Sequence, residues 1–218
     1  MQDKIQEFWE KALASYGAKD WIDKPTIFVE QAVQYFPKNG KILELAAGQG
    51  QDSRFLAKKN FEVTCTDRSD FGLEAAAEKS KKDNLNLTFK KVDFSKTLPF
   101  PDGTFDVVYS HLGLHYFTKE NTRRLFLEIQ RVLKPQGIIA ALFNSTDDPE
   151  ISGDGFEKIE DNYYFEVKTG LQKRYFTLED TQYFTEGLFE PIILDDLGRA
   201  YKDGKTALIR LVARKIGQ

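Results

Sequence analysis

One cysteine in 218 residues rules out an internal disulfide, so the fold has to be held together by its core. Cys65 lies in a β-favouring stretch and reads as a buried strand residue rather than a nucleophile. There are only two histidines, His111 and His115. They stand at i and i+4, the spacing of a two-histidine zinc motif, but no Glu lies between them and no third ligand is evident, so no metal is expected. No apolar run approaches the ~20 residues that cross a bilayer, and residues 1–12 are charged where a secretory leader is apolar. A cytoplasmic protein with no membrane partner is expected. An excess of one charge is missing too. With 31 Lys+Arg against 34 Asp+Glu the net charge is −3, which provides no overall attraction to nucleic acid or anionic lipid. Internal repeats and low-complexity tracts are absent as well.

What is present suffices for one domain with a sizeable core: 41% of the residues are hydrophobic and 30% charged. The chain is organised around Ile42-Leu43-Glu44-Leu45-Ala46-Ala47-Gly48-Gln49-Gly50. It opens as a short, nearly continuous apolar run, the pattern of a parallel strand buried on both faces. It closes in two glycines one residue apart, where a chain turns tightly and its backbone can approach a ligand. Residues 51–60 then read as a helix, with Asp52 or Ser53 as cap, lysines in the last turn and Asn60 as the stop. Residues 61–66 alternate as a second strand ending on Asp67, about 20 residues after Gly48, the spacing at which an acid meets a ribose hydroxyl.

The nucleoside ligand is chosen by charge. A dinucleotide brings a pyrophosphate to the helix start. Here Asp52 occupies that start, Glu44 lies in the strand before it, and Ser53 replaces the third glycine of the dinucleotide fingerprint. Carboxylates repel a pyrophosphate but suit a ligand carrying an ammonium and a sulfonium, namely S-adenosyl-L-methionine.

The segment Glu44-Leu45-Ala46-Ala47-Gly48-Gln49-Gly50 resembles the first motif of the class I S-adenosylmethionine-dependent methyltransferases, acid-x-Gly-x-Gly-x-Gly, with Ala46 in place of the first glycine. The resemblance runs from about Lys41 to Phe143 and more faintly to the C-terminus. It includes the segment Phe100-Pro101-Asp102-Gly103-Thr104-Phe105-Asp106 and the helix-to-strand junction Arg131-Val132-Leu133-Lys134-Pro135-Gln136-Gly137. It implies that Glu44, Ala46, Gly48 and Gly50 hold the methionine end of the cofactor. Asp67 and Arg68 would meet ribose and adenine, Asp93 and Phe94 the adenine, and the backbone of Ser110 the methyl side. The product would be S-adenosyl-L-homocysteine. His111 and His115 are candidates for a general base, although relatives place a structural histidine at the position of His115.

Along the chain, residues 1–36 show two helical patterns. The first repeats Ile5, Phe8, Trp9, Ala12 and Leu13, and the second starts near Pro25-Thr26. Trp9, Tyr16 and Trp21 would lid the site, as N-terminal aromatics do in the resembled family; for Trp9, on an apolar stripe, packing onto the sheet is the preferred reading. Ser69 caps a helix to about Lys82, residues 85–92 form a third strand, 105–110 a fourth beside the first, Thr118 caps the next helix, and 138–143 make a fifth strand. Residues 144–176 are the least regular and most acidic, which argues against a nucleic-acid partner. Their aromatics Tyr163, Tyr164, Phe165, Tyr175 and Phe176 fit either an acceptor pocket wall or a satellite core. A helix over 177–186 and a final hairpin, with its turn at 202–205, complete the chain.

The expected fold is α/β and doubly wound, a mostly parallel seven-stranded sheet with a C-terminal antiparallel hairpin in a single domain. Its parts are N-terminal helices (1–36), a cofactor-binding core (40–143), an acceptor-side insertion (144–187) and the closing hairpin (188–218). The expected function is methyl transfer to a small-molecule acceptor. A cofactor-binding module without catalysis is the alternative, followed by an NAD-type oxidoreductase.

Overall fold

The computed structural model describes residues 2–200 and 207–217. In chain order the elements are α1 (Gln2–Ser15), α2 (Ile27–Ala32), β1 (Lys41–Leu45), α3 (Gln51–Lys58), β2 (Glu62–Asp67), α4 (Asp70–Lys82), β3 (Thr88–Lys91), β4 (Phe105–His111), α5 (Lys119–Val132) and β5 (Leu133–Asn144). They continue with β6 (Phe156–Glu160), β7 (Tyr163–Glu166), β8 (Leu171–Arg174), α6 (Leu178–Thr185), β9 (Phe189–Gly198) and β10 (Leu208–Lys215). The main sheet is seven-stranded, in the order β3-β2-β1-β4-β5-β10-β9. The first five strands run parallel, and β10 lies antiparallel between β5 and β9. From β1 the chain winds outward to β2 and β3, then returns to lay β4 on the other side of β1. The carboxyl ends of β1 and β4 therefore form a topological switch point, the place where such sheets bind ligands. The seven-stranded, doubly wound sheet and its antiparallel close match the expectation; the hairpin turn at 202–205 lies outside the described residues.

Burial explains the central strands. Ile42, Leu43 and Leu45 of β1 are fully buried, as are Ile139, Ala140 and Ala141 of β5, because helices cover both sheet faces. Leu125, Phe126, Ile129 and Val132 of α5 form the apolar stripe that packs on one of them. Side-chain caps start most helices. Thr26 accepts from Val29 N, Ser69 from Gly72 N, Thr118 from Asn121 N, and Thr177 forms a capping box with Asp180. Thr26 is thus the cap of α2, and Pro25 lies just outside that helix.

Helix α3 departs from the sequence reading. Its N-cap is Gly50 in the left-handed region (φ 69°), with no side-chain cap from Asp52 or Ser53. Both side chains turn beneath the glycine loop instead. Asp52 accepts from Thr26 N (2.7 Å), Thr26 Oγ1 (2.8 Å) and Tyr109 Oη (2.7 Å), while Ser53 Oγ donates to Glu44. Three directed donors under the loop outcompete a local cap.

Residues 144–187 are also more regular than their composition suggests. Strands β6, β7 and β8 form a separate three-stranded antiparallel sheet. Buried Arg174 ties it to the rest, donating to Phe117 O (3.2 Å), to Asp161 O (3.1 Å) and to Glu160. Tyr163 and Tyr175 are buried beneath this small sheet, while Phe176 joins the main core against Phe143, ring centroids 4.4 Å apart, so none of the three walls the cavity.

Candidate functional site

The glycine turn is built on left-handed backbone. Ala46, Gly48 and Gly50 take φ of 59°, 54° and 69°. A side chain at Gly50 would meet Ala76 Cβ at 2.8 Å, so this glycine lets α4 approach rather than a ligand. Across the switch point, Leu112 is left-handed as well (φ 54°), and a Cβ on Gly113 would fall 2.3 Å from Ala46 Cβ. Two adjacent strand ends thus hold unfavourable conformations in order to close on each other, a form of strain that clusters at ligand sites.

Asp67, at the end of β2, fastens this turn. Its carboxyl accepts from Gly48 N and from Ser69 N, each at 2.8 Å, linking the glycine loop to the start of α4. Burial pushes its pKa up, opposed by the N–H donors of Ser69, Gly48 and Arg68.

A cavity of about 220 Å³ opens above these strand ends. That is far more than one water requires, so it is a binding space and not a packing defect. Its floor includes Ala46, Gly48, Asp67, Arg68 and Phe94, five of the residues expected at the cofactor, together with His111 from the end of β4. The other expected residues lie off the wall. Glu44 sits beneath the turn against Ser53, and Gly50 faces Ala76. Asp93 accepts from Ser95 N (3.0 Å) and Ser95 Oγ (2.7 Å) and pairs with Arg68 at 3.5 Å, so it reaches the cavity only through that guanidinium. Ser110 Oγ donates to Leu45 O (2.9 Å) and clamps β4 to β1. His115 is buried on Tyr116, ring centroids 4.3 Å apart, while its carbonyl accepts from Arg174 N. No described residue of 144–187 reaches the wall.

The opposite wall comes from the N-terminal segment: Ile5, Trp9, Leu13, Tyr16, Trp21 and Ile22. Trp9 therefore faces the cavity and not the sheet, and meets the Tyr116 ring edge-on at 6.2 Å. The stripe of α1 was legible, but periodicity alone does not tell a ligand from a core as its partner. Three polar straps hold the segment down. Glu10 accepts from Ser69 Oγ (2.9 Å), Asp70 N (2.7 Å) and Phe71 N (3.1 Å) at the N-terminus of α4. Gln49 Nε2 donates to Leu13 O (2.7 Å), and Asp23 pairs with Arg54 (2.8 Å) and Lys79 (2.9 Å).

Electrostatically the site differs from an open acidic cleft. Of the three carboxyls Glu44, Asp52 and Asp67, only Asp67 is on the wall. Burial, with Asp52 nearby, holds the Glu44 carboxyl well above the ordinary carboxylate range and favours its protonated form. Buried Asp52, in the first turn of α3, itself answers the positive end of that helix, where a pyrophosphate would otherwise sit. His111 is shifted the other way. Burial lowers its pKa, and its buried Nε2 has no hydrogen-bond partner among the described residues.

Comparison with known proteins agrees with this geometry. The family model described as "Methyltransferase domain" matches residues 42–137. The matched segment runs from β1 into β5. The putative methyltransferase YqeM of Bacillus subtilis is 38% identical over 119 residues, 54% of this chain and 46% of that protein. The 2-methyl-6-phytyl-1,4-hydroquinone methyltransferase of Synechocystis sp. is 35% identical over 159 residues, 67% of this chain and 48% of that one. The chain thus spans about half the length of these curated relatives. Among solved structures, the 1,6-didemethyltoxoflavin-N1-methyltransferase of Burkholderia thailandensis superposes with a TM-score of 0.73 at 16% identity, covering 100% of this chain and 91% of that one, and shares its fold. These matches agree with the class I methyltransferase type that the glycine motif resembles, whose cofactor is S-adenosylmethionine. The residues present fit that cofactor: a ribose-type acid faces the cavity, the helix end that takes phosphate is already occupied by Asp52, and Phe94 offers an aromatic side chain at the floor.

Proposed function

We propose that the protein transfers the methyl group of S-adenosylmethionine to a small-molecule acceptor in the cavity above β1 and β4. The observation that carries the reading is Asp67, a carboxyl held by Gly48 N on the floor of a largely apolar cavity. When bound, the cofactor supplies an electrophilic methyl on a sulfonium. Ala46 and Gly48 hold the methionine end through their backbone, and Asp67 accepts from the ribose hydroxyls. Arg68, steadied by Asp93, and Phe94 flank the adenine. Glu44, Gly50 and Ser110 act indirectly, by shaping the turn and the β1–β4 contact.

Methyl transfer is an in-line displacement in which the acceptor's lone pair forms the new bond to the methyl carbon, the carbon–sulfur pair returns to sulfur and the positive charge leaves it, so alignment and the exclusion of water matter most. The N-terminal wall lays apolar and aromatic side chains along the cavity, which reduces the water that reaches it. His111 lines the cavity, burial disfavours its cation, and it is the base offered to an acceptor O–H or N–H. Calorimetry tests the cofactor assignment: S-adenosylhomocysteine should bind with one site per chain and NAD should not. Binding of NAD in preference would sink it.

A further inference from the structure

Charge is unevenly distributed around the cavity. Among the described wall residues only Asp67 and Arg68 carry formal charge, and both come from the end of β2. The end of β4 lies two strand spacings away, roughly 9–10 Å across the sheet. There the wall is His111, Leu112, Tyr116 and Phe117, faced by the N-terminal segment. Its aromatic rings form two edge-to-face pairs, Trp9 with Tyr116 at 6.2 Å and Tyr16 with Trp21 at 5.2 Å.

We propose that this aromatic compartment is the acceptor subsite and that it selects an uncharged, planar, conjugated acceptor. The inference rests on the methyltransferase reading and names the substrate class of the same site. An anionic acceptor would be desolvated with no Lys or Arg beside it among the described residues, and an unpaired buried charge is costly. Aromatic rings do attract cations, but a cation here would sit next to a sulfonium with no carboxylate on this end of the described wall, Asp52 being engaged beneath it by Thr26 and Tyr109, and an amine must shed its proton before it can attack. A flat conjugated ring loses little entropy, buries a large area and packs face or edge against four aromatic side chains. A saturated ring of the same size gains the area but not the ring–ring geometry.

The test uses the whole chain saturated with S-adenosylhomocysteine, titrated calorimetrically with four probes: naphthol, the naphthalenesulfonate and naphthyltrimethylammonium substituted at the same carbon, and the saturated alcohol decalol. Naphthol is expected to bind at least tenfold tighter than each of the others. Trp21→Ala is expected to weaken naphthol more than S-adenosylhomocysteine, whose retained binding reports a folded protein. Equal or tighter binding of the sulfonate, the ammonium or decalol overturns the proposal, as does no binding of naphthol to the loaded protein. If S-adenosylhomocysteine itself does not bind, the methyltransferase reading fails, and this inference with it.

Discussion

Ala46 holds a backbone conformation that its own Cβ opposes. At φ 59° it occupies the place where the resembled motif has its first glycine, and Gly113 is pressed against it from the neighbouring strand. A left-handed alanine costs about 1 kcal/mol or a little more, part of which glycine would lose again through its freer unfolded chain. Ala46→Gly is therefore expected to stabilise the protein by up to about 1 kcal/mol, raising the melting temperature by up to about 3 °C. A lower melting temperature would show that the alanine methyl contributes packing that outweighs the strain. The residue one strand over makes the opposite prediction. Asp67→Ala removes the partner proposed for the ribose hydroxyls and should weaken S-adenosylhomocysteine by about 1–3 kcal/mol, roughly 5- to 150-fold by calorimetry. Parent-like affinity would remove Asp67 from the site. At this scale the sequence distinguished types better than directions. Glu44, Asp52 and Asp67 were all legible as acids near the turn, but which of them faces a ligand depends on Thr26, Tyr109 and Ser53, residues distant in sequence or indistinct in pattern.

At the scale of elements, α1 is the piece whose position determines the site. It contributes Ile5, Trp9 and Leu13 to the wall, and Glu10 anchors it across the first turn of α4. A carboxylate accepting N–H groups at a helix start is a favourable charge–dipole arrangement. Its loss should cost about 1–2 kcal/mol of local docking, while Ser69 still caps α4. Glu10→Ala is expected to speed amide exchange in α1 about 5- to 30-fold and to hasten S-adenosylhomocysteine release, with exchange in β1 and β4 unchanged. Unaltered exchange in α1 would mean that Gln49 and Asp23 hold the segment without it. The elements that were legible are those with strong local signals. The buried run of β1, the stripe of α5 and the caps Ser69 and Thr118 each state their structure within one turn or strand. Strands β6–β8 do not. They are four or five residues long, β6 carries three charges in five positions, and the sheet is tied to the rest by Arg174 reaching back to Phe117.

For the molecule as a whole, the buried Glu44 carboxyl couples stability to pH. Its folded-state pKa lies above that of the unfolded chain, so as pH rises the unfolded chain releases this proton first. Between the two values the folded state retains a proton that the unfolded state has lost, and rising pH works against folding. Glu44→Gln keeps an acceptor for Ser53 without the ionisation. As pH rises above the ordinary carboxylate range, its melting temperature is expected to climb relative to the parent's. A difference that stays flat with pH would show that Glu44 ionises normally in the folded protein. Global architecture was the most legible level, because alternating strand and helix signals admit few arrangements once crossovers must be right-handed. The shape of the cavity was not legible, since it is made where residues 5–22 meet the ends of strands far along the chain. One practical consequence follows from that meeting. The chain has two tryptophans, and both border the same chamber. Indole emission from this protein thus carries no background from elsewhere in the fold, and a shift in its colour or intensity on mixing with a candidate compound is a label-free optical signal from the chamber itself.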